Sequence, residues 1–421
     1  MKLKRYCYAG LASLMLLGAF SGCGSGNVSD NSKEESTRDA ENIEGDSDDG
    51  GFDENSKETK KKTAEIEKYI DNLYYFDIDD EKREESYYDG IMNGLDDRYS
   101  VYYTKEEYDK MMEDDSGSFE GIGATVSKSL EDGTIYIVKP LEDSPAEKSG
   151  LLPGDVILRV DDMELTTDME LDYVVQHIRG EKGTDVEIEV YREGEPDFLT
   201  FTVTRDTIET KTVAYEMLDN DIGYIQVEQF IENTPSLFKD AVDDLQSQGA
   251  KAIVFDFRSN PGGLVKAAVE MLDYLIEDDA LADGAETKGL LLQTKDKDGN
   301  VLENYKCEDG HSVDLPMALI IDNNSASSSE IFAGAFQDYN LGKVVGMTSY
   351  GKGIVQSVIK LSDGSAIKLT IAQYFRPSGE VVHEVGIEPD IEEELDDDLK
   401  KKITIEHDED NQLQKAIETL D

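Results

Sequence analysis

Two short apolar runs constrain the fold of this chain more than any other feature. They are KAIVFDF at residues 251–257 and MALIID at residues 317–322, and each leads through a polar turn into a segment with helical spacing of apolar residues. A short, largely apolar run of this kind is typical of a buried strand. Residues 206–395 are therefore predicted to form an α/β domain in which strands feed helices.

The preceding part of the chain, residues 116–205, carries a different pattern. The short runs TIYIVKP, GDVILRV, DVEIEVYR and LTFTVTR predict strands. Between the first two lies SPAEKSGL, in which Ser144 is placed to cap a short helix and Pro145 to begin it. This part is predicted to be a small β-rich domain.

The order of these elements, with GLLPGD after the short helix, resembles a PDZ domain. FEGIGA at residues 119–124 is similar to the loop with which that family binds the carboxylate of a peptide's end. The resemblance implies that a peptide adds as an extra strand at the edge of the sheet. The alternative is a β-rich module without a ligand. The residues implied to bind the peptide C-terminus are Gly121, Ile122, Gly123 and Ala124.

The two ends of the chain are acidic. Residues 23–60 contain almost no apolar residues and predict a disordered tether, whereas residues 61–115 have a tyrosine-rich helical spacing. Residues 396–421 predict an acidic segment with a short terminal helix, capped by Asp410, that packs on the core or on a partner chain. The formal net charge of -53 repels phosphate backbones, so nucleic-acid binding is excluded.

The first residues predict the compartment. A basic start at residues 2–5 and an apolar run at residues 8–20, too short to span a bilayer, precede Cys23. This pattern resembles a bacterial lipoprotein signal at residues 1–22, which implies a lipid on Cys23 at the outer face of the cytoplasmic membrane, in the cell envelope. The alternative is a plain secretory signal with an incidental cysteine. Because Cys307 is then the only other cysteine, neither an intrachain disulfide nor a cysteine metal site is expected.

The stretch SASSSE at residues 325–330 is the first candidate for chemistry. It follows the run MALIID and precedes a predicted helix, so its serines lie on a strand-to-helix turn. The unpaired N–H groups of a first helical turn favour an oxyanion, and this arrangement suits a nucleophile of acyl transfer. The alternative is a capping box, in which Ser325 or Ser327 caps the helix and Glu330 completes the box.

A nucleophilic serine needs a base, and the chain offers two kinds. His383, beside Glu384, is the one of its four histidines in a plausible place, and a Ser-His-Glu arrangement stays open. Lys352 lies between two glycines, and a lysine can act as base where its surroundings lower its pKa. On an extended strand Gln356 points to the same side and can orient the amine. The alternative is a solvated lysine in a turn.

Three motifs taken together resemble one family. SASSSEIFAGAFQDY, TSYGKGIVQ and RSNPGG, with a PDZ-like region upstream, are similar to the bacterial C-terminal processing peptidases, the tail-specific serine proteases of class S41. The resemblance runs from about residue 64 to the end of the chain. It implies a multidomain α/β protein with an N-terminal helical region, a PDZ domain and a protease core of the tail-specific (ClpP/crotonase-like) type.

The resemblance also implies roles for single residues. Ser327 is the implied nucleophile, Lys352 the general base and Gln356 the residue that positions the lysine. The implied oxyanion hole consists of the backbone N–H groups of Gly263 and Ser328. Ser328 stands where the family has alanine, but it acts there through its backbone, so the substitution leaves that role in place.

The implied activity is that of a serine endopeptidase that needs neither metal nor cofactor. It would cleave envelope or secreted proteins and recognise their apolar C-terminal tails through the PDZ domain, with an activating partner and a homodimer as further implications. The first alternative is a catalytically idle PDZ adaptor that gathers envelope proteins by their tails. The second is a binding protein on the same α/β fold, like the retinoid-binding relatives of this class. The presence of Ser327, Lys352 and Gln356 argues against both.

Overall fold

The structure is a computed structural model that describes residues 53–402 and 404–420. The predicted signal at residues 1–22, Cys23 and most of the predicted tether lie outside the described residues. The described chain separates into two compact units, a larger one of residues 106–355 and 372–420 and a smaller one of residues 53–105 and 356–371. Within the described residues, no helix has the length and apolar character needed to cross a bilayer.

The smaller unit contains two helices of the predicted N-terminal helical region. Helix α1 begins at Lys57, before the boundary expected at residue 61, because the Ser56 side chain caps it by accepting from the Thr59 N–H at 3.0 Å. Strand β1 pairs antiparallel with β18, and β17 pairs with β18. The elements are α1 (Lys57–Leu73), α2 (Asp80–Asn93), β1 (Val101–Tyr103), and the parts within this unit of β17 (Ile354–Lys360) and β18 (Ala366–Phe375).

The β-rich part of the larger unit has the strands and the short helix that the sequence predicts. The Ser144 side chain accepts from the Glu147 N–H at 3.2 Å, and Pro145 begins the helix as expected. The sheet has the order β3-β4-β5-β7-β8, with β6 beside β5, while β2 pairs with β9. The elements are α3 (Lys105–Ser116), β2 (Ser118–Gly121), β3 (Ala124–Lys128), β4 (Ile135–Pro140), α4 (Pro145–Ser149), β5 (Val156–Val160), β6 (Met163–Glu164), α5 (Leu171–Ile178), β7 (Asp185–Tyr191), β8 (Leu199–Thr204) and β9 (Asp206–Glu209).

The rest of the larger unit is the predicted α/β domain. Its main sheet has the order β10-β11-β12-β15-β16-β19, parallel throughout except for β10. Strand β13 pairs with β14 and with the end of β18. The elements are β10 (Val213–Leu218), β11 (Ile222–Val227), α6 (Thr234–Gln248), β12 (Ala252–Asp256), α7 (Val265–Leu275), β13 (Leu290–Lys295), β14 (Val301–Lys306), β15 (Met317–Ile321), α8 (Ser328–Asp338), β16 (Gly342–Gly346), β19 (Ile391–Glu392) and α9 (Asn411–Ile417), with 3-10 turns at Asp219–Asp221, Leu399–Lys401 and Glu418–Leu420.

Both faces of this sheet are covered, which explains the uninterrupted apolar runs. Phe255 and Leu319 point to a large core that also includes apolar side chains of α6, α7 and α8. Val254 and Ile320, one position away, point to the opposite face, where they pack with Leu413 of α9. Alternate residues of one strand therefore enter two cores.

Cys307 lies in the large core, and its burial predicts a chemical property. Burial raises the pKa of its thiol to about 12, with a further contribution from the nearby carboxylates of Asp273, Asp278 and Asp309. Since the thiolate is the reactive form, we expect Cys307 at pH 8 to react with iodoacetamide about a thousandfold more slowly in the folded chain than in guanidinium. Mass spectrometry of the Cys307 peptide measures both rates, and equal rates would contradict the burial.

Candidate active site

Ser327 lies on the turn between β15 and α8, as the sequence predicts. It occupies the N-cap position of α8 with φ 54° and ψ -114°, a left-handed conformation that is strained for a residue other than glycine. Its backbone is fixed on both sides, because the Ala326 N–H and the Ser329 hydroxyl each donate to the Asn260 carbonyl oxygen at 3.0 Å. The side chain is 8% exposed. A strained and tightly held serine is typical of a nucleophile on a sharp strand-to-helix turn.

The neighbouring serines hold the turn to the loop 257–263. The Ser325 hydroxyl donates to the Phe257 carbonyl at 2.7 Å, and the Ser328 hydroxyl donates to the Gly263 carbonyl at 2.9 Å. The N-cap position belongs to Ser327, not to Ser325, and Glu330 completes the expected capping box by accepting from the Ser327 N–H. The hydroxyl contact of Ser328 was missed, because it joins residues far apart in the sequence.

Glu330 connects the Ser327 turn to the Lys352 segment. One carboxylate oxygen accepts from the Ser327 N–H at 2.7 Å and from the Lys352 N–H at 2.8 Å. The other accepts from the Ser349 hydroxyl and the Gly351 N–H, both at 2.6 Å. The side chain is fully buried, so these four bonds replace the water that an ionised carboxylate would otherwise need.

Tyr374 makes a second connection between the same two residues. Its hydroxyl lies 2.7 Å from the Lys352 carbonyl oxygen and 3.1 Å from the Ser327 carbonyl oxygen, positioned to donate to either. Burial, and then the charge of Glu330, raise the pKa of Tyr374 well above its ordinary value, so the hydroxyl keeps its proton. We call these contacts the Glu330–Tyr374 bridge; it fixes the backbone of Ser327 relative to that of Lys352.

Lys352 itself precedes β17, which begins at Ile354. The strand alternation expected to align Lys352 with Gln356 therefore does not extend to the lysine. Gln356 lies on β17 within the smaller unit, where its side chain donates to the Thr370 hydroxyl at 3.5 Å. That Gln356 orients the amine of Lys352 stays a prediction.

The glycine after the lysine is required by a close backbone approach. A Cβ at Gly353 would collide with the backbone of His383, and the Glu384 N–H donates to the Gly351 carbonyl at 2.9 Å. Among the described residues, the buried Nδ1 of His383 has no hydrogen-bond partner. A Ser-His-Glu arrangement would need a carboxylate bound to this Nδ1. No carboxylate of the described residues makes that bond.

The glycine turn after β12 packs directly on the serine turn. A Cβ at Gly262, whose φ is +95°, would lie 2.8 Å from both the Ser327 Cβ and the Ser328 nitrogen. The turn is held by the Gly262 N–H, which donates to the Asn260 side chain at 2.9 Å. In the hydrogen bonds described for residues 53–402 and 404–420, the N–H groups of Gly263 and Ser328 donate to no acceptor. The resemblance assigns the oxyanion hole to these two N–H groups, and that role stays a prediction.

The loop expected to bind a peptide end lies between β2 and β3. Its carbonyl groups are occupied, since the Ala146 N–H donates to Ile122 at 2.8 Å and the Leu141 N–H donates to Gly123 at 2.9 Å. Gly123 has φ +70°, and a Cβ there would lie 2.5 Å from the Ser144 Cβ. The fold therefore requires glycine at this position and fixes the loop through its carbonyl oxygens.

Comparison with known proteins adds independent findings. A profile described as Peptidase family S41 matches residues 221–393, and a profile described as PDZ domain matches residues 121–204. The carboxy-terminal processing protease CtpA of Bacillus subtilis (strain 168) is 38% identical over 332 residues, covering 79% of this chain and 68% of that protein. CtpB of the same strain is 36% identical over 340 residues, with the same coverage of 79% and 68%.

A solved structure of the photosystem II D1 C-terminal processing protease is also similar. It is 26% identical, covers 80% of this chain and 89% of that chain, and superposes with a TM-score of 0.44. The mixed helix and sheet architecture, with a PDZ domain ahead of an S41 core, agrees with the fold class predicted from the sequence. With 38% identity to a processing protease over 79% of its length, the chain belongs to peptidase family S41 and is a serine peptidase of the carboxy-terminal processing type.

Proposed function

We propose that the chain is a serine endopeptidase with a Ser327–Lys352 dyad and that Gln356 positions the lysine. The observation that carries this proposal is the Glu330–Tyr374 bridge, which ties the backbones of Ser327 and Lys352 together through buried hydrogen bonds. A scaffold without catalytic activity has no need to hold one serine in a strained conformation and tie it to a particular lysine.

In the proposed mechanism, the neutral amine of Lys352 accepts the hydroxyl proton of Ser327 as its Oγ attacks a peptide carbonyl. The N–H groups of Gly263 and Ser328 stabilise the negative oxygen of the tetrahedral intermediate. The protonated lysine then gives its proton to the leaving amine. A water molecule, deprotonated by the lysine in turn, hydrolyses the acyl-enzyme and frees Ser327.

We further propose that the PDZ domain recognises apolar C-termini of the protein substrates. The support is the loop from Gly121 to Ala124, which the fold holds through the carbonyl oxygens of Ile122 and Gly123. In the proposal its N–H groups bind the carboxylate of the peptide end, as in the family. The test is a reporter with an unfolded body and an apolar C-terminal tail, compared with the same reporter ending in Asp-Asp. Faster cleavage of the apolar-tailed reporter supports the proposal. Equal cleavage leaves a protease without tail recognition, and tail binding without cleavage favours the idle adaptor.

A single substitution separates tail recognition from catalysis. Gly123→Ala places a Cβ against Ser144 at a positive φ, so we expect kcat/KM for the apolar-tailed reporter to fall about tenfold, with cleavage of the Asp-Asp reporter unchanged. Gly154→Ala is the matched control, because its φ is +89° and nothing lies within 4 Å of the added Cβ. A Gly123→Ala enzyme that kept the parent's tail preference would contradict the role of this loop.

The cellular setting is proposed from the sequence. We infer that Cys23 carries a lipid that anchors the enzyme to the outer face of the cytoplasmic membrane. We also infer that the three domains span residues 61–115, 116–205 and 206–395. A homodimer through the N-terminal helices has support in the exposed aromatic residues after α1, where Tyr75 is 89% and Phe76 is 69% exposed. We also propose that a partner protein activates the enzyme.

A further inference from the structure

The C-terminal segment is joined to the catalytic part of the larger unit by one buried ionic cluster. Asp410 caps α9, accepting from the N–H groups of Gln412 and Leu413 at 3.1 Å each. The same carboxylate lies 2.7 Å from a guanidinium nitrogen of Arg258. Gln412 accepts from a second guanidinium nitrogen of Arg258 at 3.1 Å. One helix cap therefore serves as an anchor for an arginine that lies far away in the sequence.

Arg258 lies between two carboxylates. Its Nε donates to Asp256 at 2.9 and 3.0 Å, and Asp256 also accepts from the Tyr224 hydroxyl at 2.7 Å. The side chains of Arg258, Asp256 and Asp410 are 17%, 2% and 6% exposed. Burial alone would lower the pKa of Arg258, but the two carboxylates reverse this and raise it, so the guanidinium stays charged. The cluster is thus shielded from water and held from both sides.

Arg258 is also the first residue of the turn that leads to the oxyanion glycines. The next residue, Ser259, has φ 58°, and its N–H donates to Asp322 at 2.9 Å, at the end of β15. Asn260 follows, and its carbonyl oxygen holds Ala326 and Ser329 beside the nucleophile. A displacement of Arg258 would therefore be transmitted within two residues to the contacts of the serine turn.

We propose that Arg258, fixed by Asp410 and Gln412 of the C-terminal segment, is a positioning residue that sets the conformation of the oxyanion turn at residues 259–263. This inference rests on the proposed role of Gly263 in the oxyanion hole. The C-terminal segment is then part of the catalytic apparatus of this enzyme. It reaches this turn from α9, which lies on the face of the sheet opposite the core of α6, α7 and α8.

The test is Asp410→Asn in the full chain. Asparagine is as good an N-cap as aspartate, so α9 keeps its cap. The substitution removes one of the two carboxylates at Arg258, and the remaining Arg258–Asp256 pair is electrically neutral. We expect kcat to fall about tenfold with KM changed less than twofold, because the affected donors act on the transition state. Amide hydrogen exchange at residues 259–263 is expected to accelerate. Asp408→Asn, an exposed position two residues earlier, makes the same change of charge and is expected to leave both measurements at the parent's values.

The exchange measurement keeps this inference separate from the proposed function. If the parent chain cleaves no reporter, the dyad proposal is in question, but faster exchange at residues 259–263 still supports the link from Asp410 to the turn. If exchange accelerates only at residues 404–417 while kcat is unchanged, α9 is merely structural and the inference is overturned. Should Asp410→Asn fail to fold, Gln412→Leu removes the neutral contact to Arg258 and is expected to give a smaller change in the same direction. An unchanged kcat and unchanged exchange in that variant also overturn the inference.

Discussion

Replacing Ser327 with alanine is expected to lower kcat for an apolar-tailed reporter by at least a factor of about 10³, because it removes the proposed nucleophile. Lys352→Met is expected to have an effect of similar size, since residues that act as a unit fail together. Lys352→Arg should be equally inactive: a guanidinium keeps the positive charge but does not give up its proton near neutral pH. Single-turnover cleavage, followed by gel electrophoresis, measures these rates.

Two controls accompany these variants. Ser328→Ala keeps the backbone N–H, places the family's own residue there and removes only the hydroxyl bond to the Gly263 carbonyl, so we expect kcat within about fivefold of the parent. Lys343→Met removes an exposed lysine, 55% accessible and paired with Asp390, and should leave kcat unchanged. Cleavage by Lys352→Arg at the parent's rate would show that the lysine acts through its charge and would overturn the proposed base.

Glu330→Gln is expected to lower kcat about a hundredfold and to destabilise the fold by about 3 kcal/mol. Both carboxylate oxygens accept two hydrogen bonds each, from N–H groups and one hydroxyl. Whichever oxygen the amide nitrogen replaces, a donor then faces donors. In one orientation the backbones of Ser327 and Lys352 lose their shared acceptor, and in the other the Ser349 hydroxyl and the Gly351 N–H lose theirs. Thermal unfolding measures the loss of stability, and titration with a serine-directed inhibitor gives kcat per competent site.

Glu388→Gln provides the comparison, because the same change of charge there affects an exposed side chain. It should match the parent in both measurements. If Glu330→Gln lost stability but kept the parent's kcat per titrated site, the Glu330–Tyr374 bridge would support the fold without aligning the dyad.

The elements of the catalytic domain were predictable where local chemistry determines them. The runs 251–257 and 317–322 became β12 and β15, Ser144 caps α4, and Asp410 caps α9, as expected. These assignments depend on apolar runs and on side chains that bond within one helical turn, so the information lies in neighbouring residues.

The contacts that organise the candidate site could not be predicted in this way. The sequence suggested Glu330 only as a capping residue, yet two of its four partners come from the segment around Lys352 and a third from Ser349. Tyr374 lies in an ordinary strand, and nothing near it signals a bond to Ser327. A glutamate directly before the apolar run IFAGAF was the one available signal, because a buried charge requires partners.

The Glu330–Tyr374 bridge has a consequence for how such an enzyme could be kept idle. To move the Lys352 backbone away from Ser327, the chain would have to give up the hydrogen bonds of a fully buried carboxylate and of a buried phenol. The cost would be on the order of 5 kcal/mol, which a weakly bound peptide end does not readily supply. Any idle state of this enzyme is therefore expected to leave both backbones in place and to depend on substrate entry or on the rotamer of Lys352.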